Sequence, residues 1–204
     1  MFRKHSKILV IDGVKTPIDP DFRIMCEYSE AVSGSDTAAL RNIAARFYFA
    51  ALPEGVNEKA AANAMVDFYV SGFASGKKSK SSVMEVPEPS FDFEEDEGYF
   101  YAAFLSEYGI DLNTAKLHWL DFCALFRGLP DDCKLKQIIG IRAQNLSDIK
   151  SSAERTRILK LKTVFALKKR RKQRFKDTAD RDKAMIEDIK RIHLEARKKR
   201  GEEG

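Results

Sequence analysis

Apolar and polar positions divide the chain into a short extended start followed by a series of helices. Lys7 to Ile11 is rich in β-branched residues, Asp12-Gly13 is a strong hairpin turn signal, and Val14 to Ile18 can return as a second strand. Thr16-Pro17 suggests an edge strand, because proline donates no ladder hydrogen bond. Two strands alone are marginal in water, so the hairpin is expected to lean on helices. Asp19-Pro20 reads as a helix start, with Phe22, Ile24, Met25, Tyr28 and Val32 as its apolar face and Ser33-Gly34-Ser35 as its end. Asp36 caps a second helix through Leu40, Ile43, Ala44, Phe47 and Ala51. Asn57 starts a third through Ala61, Ala64, Met65, Phe68 and Tyr69, closed by Gly72.

Periodicity then fades. Ser75 to Pro89 is rich in Ser, Gly, Lys and Pro and reads as an exposed linker. Phe91 to Pro130 is the most organised stretch. Acids Asp92, Glu94, Glu95, Asp96 and Glu97 lead into an aromatic helix of Tyr99, Phe100, Tyr101, Phe104, Leu105 and Tyr108, broken at Gly109. Asp111 and Asn113 offer starts for a second helix carrying Leu117, Trp119, Leu120, Phe122, Cys123, Leu125 and Phe126, ended by Gly128-Leu129-Pro130. A turn that short predicts a helical hairpin. Asp131-Asp132 starts a helix that Gly140 closes, and Asn145 to Asp148 offer caps for another ending near Leu167. From Lys168 to Arg200 no breaker occurs, and Met185, Ile189, Ile192 and Ala196 form a narrow stripe, which predicts a long charged helix.

The expected architecture is mostly α: a multi-helix bundle with a small N-terminal β-hairpin and a long basic C-terminal helix. Residues 1–74 supply the hairpin and three helices, 75–90 a flexible linker, 91–167 the helical core of the same domain, and 168–204 the basic arm.

Composition changes this picture in one respect. The 204 residues carry a net charge of +5, but residues 168–204 hold 15 Lys or Arg against 8 Asp or Glu. That segment is +7, which leaves the preceding 167 residues at −2; the basic character belongs to the arm. A hydrophobic fraction of 44% suffices for a core. No apolar run approaches a membrane span, and the run after Lys7 is too short for a signal peptide. Cys26, Cys123 and Cys133 are odd in number and form no C-x-x-C pair, which suits a reducing compartment. The expected location is the cytoplasm.

Tests for chemistry return little. Gly72 to Ser79 brushes against a phosphate-binding loop, but only three residues separate Gly72 from Gly76, and Lys78 stands where the hydroxyl belongs. The acids from Glu94 to Glu97 are consecutive and fan around a helix, where a first turn favours them. His5, His118 and His193 show no ligand spacing. No catalytic, cofactor-binding or metal-binding residues are assigned, and the chain is expected not to be an enzyme. Trp119, Phe122 and Phe126 recur at i, i+3 and i+7, as core residues do, or as the anchors of a partner groove. Lys168, Lys169, Arg170, Arg171, Lys172, Arg174 and Lys176 form the strongest charge cluster. It suits a solvated face, an acidic protein partner, or nucleic-acid phosphates; only Phe175 interleaves, so it offers no stacking platform for single strands.

Several motifs together resemble the "gene product fifteen" family of tailed-bacteriophage proteins. They are Thr16-Pro17-Ile18-Asp19 with Asp21-Phe22-Arg23; Phe91 to Asp96; Tyr99 to Phe104; and Tyr108 to Leu112. They continue with Leu117-His118-Trp119, Phe122, Ala124 to Phe126, Leu129-Pro130, Ile139 to Arg142, Leu146 to Lys150 and Phe165 to Leu167. Order and spacing agree over most of residues 8–167. The resemblance implies a tail-assembly chaperone of long-tailed phages, with the tape-measure protein as partner and possible contact with another chaperone or the tail tube protein. It implies action in the host cytoplasm and absence from the mature virion. Trp119, Phe122, Phe126, Lys169, Arg170, Arg171, Lys172 and Arg174 are the candidate partner-binding residues. A nucleic-acid-binding regulator acting through the arm is the alternative. The family commonly ends near Leu167, so the arm is an addition to its pattern.

Overall fold

A computed structural model describes residues 4–73 and 90–167. The expected linker lies almost wholly outside these residues, and so does the basic arm with Lys169, Arg170, Arg171, Lys172 and Arg174. The described residues form seven α-helices and one antiparallel two-stranded sheet, so the mostly helical architecture with an N-terminal hairpin holds.

Strand β1 (Ile8–Ile11) pairs with β2 (Val14–Pro17) in the register Leu9 to Thr16 and Ile11 to Val14. Asp12 and Gly13 turn the chain with φ of 51° and 80°, the two positive values that a tight hairpin turn demands. The Asp12 carboxylate also accepts the Asn57 amide at 3.0 Å, which ties the turn to the next layer.

Helices α1 (Phe22–Gly34), α2 (Thr37–Phe47) and α3 (Glu58–Ser71) follow. Asp36 and Asn57 act as the expected N-caps, each accepting two backbone amides. The first helix begins later than Asp19-Pro20 suggests. Pro20 and Asp21 are held extended: the Pro20 carbonyl accepts the Trp119 amide at 2.7 Å, and the Phe22 amide donates to Leu117 at 3.1 Å. Asp21 therefore caps α1 through the Arg23 amide. The second helix ends at Phe47, short of Ala51; Tyr48 closes it, and Phe49 and Ala50 after it both adopt positive φ.

Helices α4 (Glu97–Tyr108), α5 (Trp119–Gly128), α6 (Lys134–Ala143) and α7 (Ser152–Val164) complete the set. Three sequence expectations change here. The α5 start moves from Asp111 or Asn113 to Trp119, because the Asp111 carboxylate folds back onto the Asn113 amide and the Thr114 hydroxyl, making a turn. The connection is thus ten residues long, and α4 packs with α6 in place of forming a short hairpin. The α6 helix runs through Gly140 to Ala143 with Cys133 as its cap position. Asn145 caps only a 3-10 turn, Leu146–Asp148, while Ser151 caps α7.

The described residues divide into two compact units: residues 4–73 with 116–125, and residues 90–115 with 126–167. In the first, Ile18, Met25, Tyr28, Phe47, Trp119 and Phe122 are buried. In the second, Phe93, Phe100, Phe104, Phe126, Leu135 and Ile138 are.

Candidate functional site

Trp119 organises the first unit. Its ring is fully buried, stacks on Tyr69 at 5.4 Å and on Phe122 at 5.8 Å, and meets Phe73 edge-on. Its Nε1 donates to the Tyr69 carbonyl at 3.0 Å, so the one polar atom of the indole is satisfied. Phe122 stacks on Phe22 at 4.6 Å. A Cβ at Gly72 would lie 2.7 Å from both Cys123 Sγ and Trp119 Cε2. Gly72 therefore serves close packing at the end of α3, not a phosphate loop.

His118 caps α5. Its Nδ1 accepts the Leu120 amide at 3.1 Å, and its Nε2 lies 3.1 Å from the Ser6 carbonyl. That geometry calls for the neutral tautomer with the proton on Nε2. Burial is the main cause that lowers its pKa, and neighbouring His5 adds to it; the Ser6 carbonyl opposes. His5 stacks obliquely on His118 and lies 3.3 Å from Asp121.

Arg142 organises the second unit. Its guanidinium grips Asp96 through two contacts, 2.5 and 2.9 Å, and also donates to the carbonyls of Phe165 at 2.5 Å and Ser90 at 3.3 Å. The Asp96 side chain is 1% exposed and that of Arg142 11%. Asp96 additionally accepts the Asp92 amide, and Asp92 accepts the amides of Glu94 and Glu95. Lys162 closes the set by donating to the Arg142 carbonyl at 2.6 Å. Two of the leading acids are thus structural groups that join the entry to α4, helix α6 and the end of α7. The sequence carried one cue: Arg142 is a lone cation among Ile138, Ile139 and Ile141, where a buried charge needs a partner.

Of the predicted partner-binding residues, Trp119, Phe122 and Phe126 are buried. Phe126 packs against Phe91 and Phe100 at 5.2 and 5.0 Å. A partner could reach these rings only by displacing the residues that cover them. Surface features are therefore the better candidates. Phe49, 60% exposed, borders an open depression lined by Asp19, Asp21, Arg23, Ile24 and Arg46, whose rim alternates in charge. Ile8 and Val10 are exposed on β1. Helix α7 buries only Ile158 and leaves Leu159 and Val164 exposed. Among the described residues no group of three His, Cys, Asp or Glu side chains could hold a metal ion, and no helix is long and apolar enough to cross a membrane.

Fold and side-chain networks together define a mostly helical protein whose best-organised polar groups hold its own elements in place. The chain belongs to the bacteriophage Gp15 protein family: the family model matches residues 5–167. That makes it a bacteriophage structural or morphogenesis protein. No curated protein and no solved structure matches it.

Proposed function

We propose that the protein is a tail-assembly chaperone, a non-enzymatic helper that holds the tape-measure protein soluble in the host cytoplasm until the tail tube forms around it. Membership of the Gp15 family over residues 5–167 carries this reading. Physical chemistry agrees with it. A long helical chain with apolar stripes aggregates when left uncovered, and a helical partner with exposed apolar positions can shield such stripes. The Asp96–Arg142 and Trp119 networks serve the fold, which leaves the surface for binding.

Co-expression with the tape-measure protein of the same phage tests it. The expected result is a soluble complex recovered through a tag on either protein. Equal insolubility of the tape-measure protein with and without this chain would sink the proposal. Retention of nucleic acid that falls steeply with salt and disappears on truncation after Leu167 would favour a regulator instead.

A further inference from the structure

Resting on the function proposed above, we infer that the outward face of α7 docks a helix of the partner whose apolar stripe is flanked by acidic residues. Helix α7 is the least buried of the seven: among Ser152–Val164 only Ile158 is buried. Its inner side runs through Glu154, Ile158, Leu161 and Lys162, one face at helical spacing. The opposite side presents Leu159, 52% exposed, and Val164, 74% exposed. Lys160 stands between them, with Arg155 and Arg157 at the margins. Arg155 is anchored on the Ile149 carbonyl and Arg157 on Glu154, so both guanidinium groups are held at the edge of the face. Between the two apolar residues lie Thr156 and Thr163, whose hydroxyls turn back onto the carbonyls of Ser152 and Leu159. Side chains this short let a second helix approach closely.

Charge selects the occupant. The helix carries Arg155, Arg157, Lys160 and Lys162 against Glu154 alone. Residues 168–204 of the same chain are net +7 and residues 74–89 hold three Lys against two Glu. A second copy paired through its own α7 would bring the same cationic face. Each of these repels, whereas an acidic helix is attracted, laid along Thr156 and Thr163 with its apolar stripe against Leu159.

The test uses the full chain co-expressed with the tape-measure protein. Leu159→Ser combined with Lys160→Glu changes two exposed side chains, and a circular-dichroism melt shows that the fold is kept. Leu105→Ser, at an exposed position of α4, is the control. The wild type and the control are expected to recover equal amounts of complex, and the α7 variant about tenfold less or lower. Recovery of wild type and α7 variant within about twofold of each other would overturn the α7 site and leave the chaperone reading standing. Failure of the wild type itself to recover complex would overturn both. Tighter binding by a chain ended at Leu167 would also overturn it, because residues 168–204 would then be what covers the face.

Discussion

Gly72 shows how much one hydrogen atom can decide. A methyl group there would press on Trp119 and Cys123, neither of which has room to retreat in a packed interior. Gly72→Ala is expected to cost about 1–3 kcal/mol, read from urea unfolding followed by Trp119 emission. Tyr28 offers the opposite case. Its ring is buried against Tyr69, but its hydroxyl has no hydrogen-bond partner, and burial holds its pKa far above the ordinary value. Tyr28→Phe should therefore raise stability, by up to about 1 kcal/mol, with an unchanged denaturant slope. A clear loss would mean that the hydroxyl is satisfied in solution. Asp96 is the costly position. Asp96→Asn leaves the Arg142 guanidinium buried without its counter-charge, for an expected loss of about 3–5 kcal/mol, whereas Glu97→Gln on the exposed first turn should stay within about 0.5 kcal/mol. Parallel chemical-denaturation curves separate the two.

At the scale of elements, the start of α5 responds to acid. His118 accepts the Leu120 amide only while neutral, and its folded pKa lies below the ordinary 6.5. The unfolded chain therefore binds the proton more readily. This contribution is complete above about pH 6.5 and is lost as pH falls through the folded pKa. His118→Asn keeps an acceptor at the cap and cannot titrate, so its stability should fall less than that of wild type between about pH 7 and 5. Equal slopes would remove His118 as the cause. Elements were legible in the sequence wherever the decisive partner is a near neighbour. Asp36 and Asn57 reach amides two and three residues on, and Asp12-Gly13 carries its turn in its own φ values. They were illegible where the partner is remote. Pro20 stays extended because Trp119 donates to it, and α5 cannot extend backwards through His118 because Leu117 and Trp119 pair with Phe22 and Pro20, which sets His118 opposite Asp21. The candidate surface on α7 was hidden for a related reason. The sequence shows an amphipathic pattern, but only packing shows that Ile158 alone is buried and that Leu159 is left outside. The same packing reveals the stripe of Trp119, Phe122 and Phe126 as interior.

At the scale of the molecule, charge is unevenly shared along the chain. A protein ended at Leu167 should change from net +5 to −2 and move from a cation exchanger to an anion exchanger near neutral pH. Retention on the cation exchanger would show that a basic surface within residues 1–167 governs adsorption. The first unit has a further property, which concerns time. Its residues come from two distant stretches, 4–73 and 116–125, and the Ser6 carbonyl meets a histidine 112 positions away. During synthesis at roughly 5–20 residues per second, the cavity that Trp119 fills must wait about 3–10 s after Phe73 is made before Leu125 is added. Through that interval Tyr69 and Phe73 lack the indole, and Phe22 the Phe122 ring, that cover them in the finished fold. A protein proposed to shield another chain from aggregation thus passes through a stage at which its own N-terminal helices need shielding.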